Sequence, residues 1–178
     1  MTHAALVVAF ANAQADRRPT HARTAVPYDA LADAASASDV LRPFLGRSVD
    51  PHELAAVRAL QRAVVAIVDA LIDGSRPPLE ALNALGAREP AIYALERQPN
   101  GKLHTRLHPK RTSAAATLLI EVIRELSELE PSRLRRCARP ECTLAFYDAT
   151  RSATQRWHAE RPCGLRERQR RHRAKHAA

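Results

Sequence analysis

The spacing of three cysteines and one histidine near the C-terminus constrains this chain most. They follow the pattern Cys137-x4-Cys142-x15-His158-x4-Cys163, which is two short-range pairs separated by a longer loop. Two such pairs can close a tetrahedral zinc site in a segment too small for its own hydrophobic core. Thiolate and imidazole ligands suit Zn²⁺, and four of them leave no open position for a catalytic water. The spacing therefore predicts one structural zinc ion.

The same residues allow two other interpretations. Cys137 and Cys142 could form a disulfide, although Cys163 would then have no partner. Cys142 or Cys163 could be a nucleophile with His158 as its base, but a closed set of four metal ligands leaves no free nucleophile. An odd number of cysteines fits a metal site in a reducing compartment better than a disulfide framework. We therefore expect a cytoplasmic protein that is not an enzyme.

The net charge of the chain lies in the same C-terminal region. The formal charge of the 178 residues is +9, yet residues 1–130 contain 15 basic and 15 acidic side chains. Residues 131–178 contain 13 basic and 4 acidic side chains, so they carry the whole charge. A localised basic block indicates a polyanionic partner.

From Gly164 onward the chain reads GLRERQRRHRAKHAA, which we interpret as a basic helix. A helix would place its positive charges on two opposite faces, which suits contacts with phosphates on both sides of a major groove. Without an apolar stripe, only its first turn is expected to be anchored, to the zinc knuckle. A solvated charged tail is the alternative, and the residues alone do not choose between DNA and RNA. The predicted nucleic-acid contacts are Arg166, Arg168, Arg170, Arg171, Arg173 and Lys175.

The clearest helical signal upstream is residues 50–74, DPHELAAVRALQRAVVAIVDALIDG. Asp50 and Glu53 have the spacing of a capping box, Gly74 can end the helix, and apolar residues recur every three or four positions. A second long helix is predicted from Thr112 or Ser113 to the residues before Pro131. Its inward side chains are expected to be Leu118, Leu119, Val122, Ile123, Leu126 and Leu129.

Shorter elements complete the N-terminal domain. Residues 91–107 predict a β-hairpin around the turn at 98–101, because Asn-Gly between two alternating runs favours a tight turn. The other expectations are a short helix at Leu79–Leu85 ended by Gly86, a strand or helix start at Leu6–Phe10, a loop at Arg17–Ala25 and a short helix at Tyr28–Ala35. Residues 1–130 are thus predicted to form an α+β domain, mostly helical with a small antiparallel sheet.

Three minor features are an apolar N-terminal run, a pair of histidines and a cluster of polar residues. Ala4–Ala11 is apolar, but no Lys or Arg precedes it, so we expect no signal peptide, and no run is long enough for a membrane span. His104 and His108 are too far apart on a strand, and Pro109 opposes a helix that would join them in a metal site. Finally, Asn12, Asp16 and Arg17 either line a ligand cleft or mark a helix end.

The C-terminal motifs also resemble a known family. Cys137-x4-Cys142, Phe146-x-Asp148-x-Thr150, Arg156-Trp157-His158 and Cys163-Gly164-x-Arg166 resemble the CGNR zinc-finger family of bacterial proteins, which are taken to be transcription regulators. Residues 1–130 resemble that family's ABATE domain, an α+β unit proposed to act in stress responses. Two positions depart from the family pattern. His158 replaces the usual cysteine, and Leu165 replaces the asparagine of the family's naming motif.

The resemblance and the residues together predict two units, an ABATE-like domain at 1–130 and a zinc module with a basic helix at 131–178. The predicted function is a DNA-binding regulator whose N-terminal domain senses a small molecule or forms a homodimer. The alternative is a zinc-stabilised protein-interaction module with a basic surface for an acidic partner. In support of the metal site, we expect apolar cover from Phe146 and Trp157 and a knuckle end at Gly164. Asp148 is expected to cap residues 149–156 or to orient His158, with an unengaged surface position as the alternative.

Overall fold

The computed structural model describes residues 4–14 and 29–176. These residues form six α-helices and two small antiparallel hairpins, which confirms the α+β fold class. The elements are, in chain order, α1 (Ala5–Asn12), α2 (Ala34–Leu45), α3 (Leu54–Ile72), α4 (Glu80–Arg88), β1 (Ala91–Arg97), β2 (Leu103–Pro109), α5 (Ala114–Glu128), β3 (Leu134–Arg136), β4 (Ala145–Tyr147) and α6 (Leu165–His176).

Helix α3 has the caps that its sequence predicts. The Glu53 carboxylate accepts the Asp50 N–H at 3.1 Å, which completes the capping box ahead of the helix. At the other end, Gly74 has a φ of +68°, which favours glycine. The Gly74 N–H donates to Leu71 and the Ser75 N–H to Ala70, the two bonds of a Schellman motif.

The main hydrophobic core lies between α1, α3 and α5, with α2 at its side. Leu6, Phe10, Val64 and Leu118 are among its fully buried members. Glu125 on α5 is buried as well, and its carboxylate accepts the N–H groups of Leu6 at 3.1 Å and Val7 at 2.9 Å. Ala4 gives α1 no side-chain cap, so Glu125 satisfies donors that would otherwise be orphaned in the core.

Strands β1 and β2 confirm the predicted hairpin. Ala91 pairs with Pro109 and Arg97 with Leu103, and the turn includes Gly101 at a φ of +82°. The hairpin packs mainly against α5, while the side chains of Tyr93 and Leu95 are 77% and 69% exposed. The hairpin thus keeps apolar surface in contact with solvent.

Of the two alternatives predicted at Leu6–Phe10, a strand or the start of a helix, the structure shows the helix. Several other predicted boundaries were wrong. The short helix predicted at Tyr28–Ala35 is a turn over 29–33, and the helix begins instead at Ala34 because the Asp33 carboxylate caps the Ser36 N–H at 2.8 Å. Gly86 does not end α4, which continues to Arg88. Ile123, expected in the core, is 42% exposed on α5. The loop predicted at Arg17–Ala25 and residue Tyr28 lie outside the described residues.

The zinc module is packed directly onto the N-terminal helices. Leu134 of β3 and Ala145 of β4 are buried members of the main hydrophobic core. The Asn12 side chain at the end of α1 accepts the Ala145 N–H at 2.8 Å and donates to the Ala145 carbonyl at 2.9 Å. These contacts fix the C-terminal module against α1.

Candidate metal centre and basic helix

The first knuckle is an extension of the hairpin formed by β3 and β4. Beyond Arg136, the Cys137 N–H donates to the Leu144 carbonyl at 2.9 Å, so the strands continue to the first cysteine. The Cys142 N–H donates to the Arg139 carbonyl at 2.9 Å and closes a turn between the two cysteines. This bend brings both thiols to the same side of the hairpin end.

The structure brings the four predicted ligands together. One ligand atom from each of Cys137, Cys142, His158 and Cys163 lies within 4.8 Å of the others. His158 Nδ1 is 3.4 Å from Cys142 Sγ and 3.7 Å from Cys163 Sγ. A zinc tetrahedron with Zn–S near 2.3 Å and Zn–N near 2.0 Å has S···N edges of about 3.5 Å. The donor set therefore fits one structural zinc ion.

Burial makes this site favourable for a metal and unfavourable for bare thiolates. Cys137, Cys142 and Cys163 are free of disulfides and buried, with Cys163 fully inaccessible. Burial, with the neighbouring Cys137 and Cys163, raises the pKa of Cys142 to about 12. A bound cation would displace the thiol protons and compensate the buried negative charge.

The loop between Cys142 and His158 is organised by buried Asp148. Its carboxylate accepts the Thr150 N–H at 3.0 Å and the Gln155 N–H at 2.8 Å. Burial would raise the pKa of Asp148, but these hydrogen bonds and that of the Thr150 hydroxyl outweigh it and lower the pKa. Asp148 therefore caps residues 149–156, one of the two predicted roles, and it is not an unengaged surface residue.

Leu144 and Trp157 provide the apolar cover of the three cysteines. Trp157 was predicted for this role, whereas Leu144 was missed. Phe146 is buried in β4 but lies outside the cluster around the cysteines. The strand pairing accounts for this, because Leu144 lies opposite Cys137 whereas Phe146 pairs with Arg135, two residues farther from the knuckle.

Gly164 connects the metal centre to α6. A Cβ atom built on Gly164 would lie 2.5 Å from Glu160 Oε2, so a larger residue would displace this carboxylate. Glu160 forms an ion pair with Arg168 in the first turn of α6. The absence of a side chain at Gly164 thus leaves room for the Glu160 carboxylate beside the first turn of α6.

The predicted nucleic-acid contacts on α6 fall into two groups. Glu167 is buried, and its carboxylate accepts Arg170 Nε at 2.9 Å and Arg171 Nε at 3.0 Å. The Arg170 hydrogen bond, with that of Arg171, lowers the pKa of Glu167 to about 2. In the part of the chain that the structure describes, no ion pair involves Arg173 or Lys175.

Glu167 was missed in the sequence, although its spacing gave a signal. Acidic and basic residues three and four positions apart lie on one side of a helix and attract one another. Arg170 and Arg171 stand at these two distances from Glu167. Together with Arg168, which pairs with Glu160, at least three of the six predicted contacts form ion pairs within the described residues.

The remaining predicted sites separate from the metal centre. Asn12 ends α1 and binds the backbone of Ala145, whereas Asp16 and Arg17 lie outside the described residues. His108 Nε2 lies 2.7 Å from the Glu96 carboxylate on the neighbouring strand, away from any metal set. Among the described helices, none is long and apolar enough to cross a membrane.

Comparison with protein-family models agrees with this architecture. The ABATE model, described as "Putative stress-induced transcription regulator", matches residues 4–138. The chain belongs to the ABATE family. The CGNR zinc-finger model matches residues 133–176, which include all four candidate ligands and the basic helix. No curated protein matches the chain significantly. These matches support a zinc-binding regulator.

Proposed function

We propose that this ABATE protein is a non-enzymatic transcription regulator that binds DNA through its zinc module and basic helix. One observation carries the proposal: α6 leaves the metal centre directly, because its first residue, Leu165, comes two positions after the ligand Cys163. Zinc would fix the direction of a helix that has no apolar stripe of its own. The metal is structural, and its thiols suit a reducing compartment such as the cytoplasm.

The charge distribution supports DNA as the partner. Residues 131–178 carry the whole +9 charge of the chain, and α6 contributes six basic side chains. An arginine-rich helix that a zinc module holds at one end can contact phosphates on both sides of a major groove. Arg173 and Lys175 are the α6 residues that we assign to these contacts first, since Arg168, Arg170 and Arg171 bind carboxylates of the protein.

The N-terminal domain is the proposed regulatory part. The exposed apolar side chains Tyr93, Leu95 and Leu103 on the β1–β2 hairpin support homodimerisation as one of its roles. A groove of about 510 Å³ between the end of α3 and β3, lined in part by Leu71, Leu134 and Arg136, supports ligand sensing as the other. The groove adjoins the zinc module, because Leu134 and Arg136 belong to β3.

The test is DNA binding by full-length protein and by a truncation after Gly164. Fluorescence anisotropy of a labelled duplex should show a log–log salt slope of about −0.9 for each phosphate contacted. The truncated protein should lose binding and keep one zinc ion, measured by metal analysis. A truncated protein that binds with the full-length salt slope would contradict the proposal. Failure of the full-length protein to bind bulk duplex DNA would favour a module for an acidic protein partner.

A further inference from the structure

Arg156 stands out in the loop between Cys142 and His158. It is exposed, and no carboxylate pairs with it among residues 4–14 and 29–176. This differs from Arg168, Arg170 and Arg171, which form ion pairs with glutamates. An arginine without a carboxylate partner keeps its full charge available to an external anion.

The backbone of this loop is held from three directions. Asp148 caps the loop by accepting the Gln155 N–H at 2.8 Å. From β3, Arg135 donates to the carbonyl groups of Ala153 at 2.8 Å and Gln155 at 3.4 Å. The Ala138 N–H, inside the first knuckle, donates to the Arg156 carbonyl at 2.8 Å. The position of Arg156 is thus fixed relative to the metal centre.

The loop also contains a strained residue. Ala153 has a φ of +50°, the left-handed region that a non-glycine residue adopts at a cost of about 1 kcal/mol or more. The Arg135 hydrogen bond to its carbonyl holds it there.

The side chain of Arg156 is oriented as well. Its Cζ lies 5.6 Å from the centroid of the Trp157 ring, a cation–π contact. Trp157 packs against the three cysteines, so the ring is fixed by the metal centre. A cation–π contact uses no N–H hydrogen bond to a protein acceptor, so the guanidinium N–H groups can still bind a planar or tetrahedral anion.

We infer that Arg156, held by Trp157 and the capped loop, is a preorganised contact for a DNA backbone phosphate. It extends the interface from α6 onto the loop of the zinc module. This inference rests on the proposed function, because it assigns a further residue to the same DNA-binding surface. Preorganisation reduces the side-chain entropy that an arginine loses on binding.

The test compares Arg156→Gln with Arg62→Gln in the full-length zinc-loaded protein. Both variants lose one positive charge, and Arg62 is an exposed residue of α3 without an ion pair among the described residues. Duplex binding is measured by anisotropy between about 50 and about 200 mM salt. Arg156→Gln should reduce the magnitude of the salt slope by about 0.9, whereas Arg62→Gln should leave it unchanged.

Arg156→Lys separates charge from orientation. Lysine keeps the charge but lacks the planar guanidinium with its several N–H donors, so it should keep the salt slope and lose affinity. Zinc content and far-UV circular dichroism report a purely structural role, and both should match the wild type in Arg156→Gln.

The outcomes distinguish this inference from the proposed function. If the wild type binds DNA, loses binding on tail truncation and keeps its salt slope in Arg156→Gln, the Arg156 assignment is wrong and the proposed function stands. Loss of zinc in Arg156→Gln would also overturn the assignment, because the residue would then support the metal site. If the wild type binds no DNA, the proposed function fails and this inference fails with it.

Discussion

The Asn12 side chain joins the N-terminal helices to the zinc module, and Asn12→Ala should measure that joint. The asparagine amide makes two hydrogen bonds with Ala145, at 2.8 Å to its N–H and 2.9 Å to its carbonyl. Ala145 is 1% exposed and lies in the main hydrophobic core. The alanine variant removes both bonds and offers no replacement.

The cost follows from the two backbone groups that lose their partners. Each buried, unpaired group costs about 1 to 3 kcal/mol, so the two set an upper limit of about 6 kcal/mol. Asn12 is only half-buried, and water entering the space left by its side chain would recover part of this. We therefore expect the free energy of unfolding to fall by about 2 to 3 kcal/mol.

Urea unfolding of the zinc-loaded protein provides the assay. With an m-value of about 2 kcal/mol/M, the midpoint should fall by about 1 M and m should not change. Asn83→Ala, at an exposed position of α4, is the matched control and should change stability by less than about 0.5 kcal/mol. Asn12→Asp should recover part of the loss, because a carboxylate still accepts the Ala145 N–H but cannot donate to its carbonyl. Equal midpoints for Asn12→Ala and Asn83→Ala would refute the reasoning.

Two further predictions concern metal and pH. In the zinc-loaded protein the three cysteines should resist alkylation. A zinc chelator should release one metal ion and make all three cysteines reactive. The N-terminal helices should persist in circular dichroism, because the main hydrophobic core is separate from the cluster around the cysteines. Alkylation of the zinc-loaded protein would contradict this. The Arg47 hydrogen bond lowers the pKa of Glu53 from 4.5 to about 2. Ionised Glu53 therefore stabilises the fold fully above pH 4.5, and this stabilisation is lost as the pH falls towards about 2. Glu53→Gln should reduce the dependence of the free energy of unfolding on pH in this range. An unchanged pH dependence would show that other groups cause it.

Local signals in the sequence predicted the elements that local forces determine. The capping box at Asp50 and Glu53, the turn at Asn100-Gly101 and the cap at Ser113 depend on neighbours within a few residues. The start of α2 was missed because Asp33 follows a stretch without periodicity, and alanine-rich residues give little hydrophobic pattern. Gly86 was taken as a stop, yet a glycine within a helix costs only about 1 kcal/mol, which packing can offset.

The candidate site was also predicted only in part. The four ligands were predicted because metal chemistry demands fixed residue types at short spacings, and the structure places them together. The partners that distinguish the arginines from one another were not predicted. The ion pair of Arg168 with Glu160 and the fixation of the loop by Arg135 depend on how the chain folds back after the metal is surrounded. A count of basic residues cannot show which charges the protein already uses.

The same limit applies to the boundary between the two units. Charge and composition change at residue 131, but β3 and β4 contribute Leu134 and Ala145 to the core of the N-terminal helices. The ion pair of Arg136 with Asp69 at 3.0 Å adds a link to α3 near its C-terminal end. A zinc module held at two helices cannot swing as an independent finger without breaking buried contacts. Under the proposed regulatory role, a change in the N-terminal domain would therefore reach α6 through the contacts of α1 with β4 and of α3 with β3. These contacts join residues that lie far apart in the sequence.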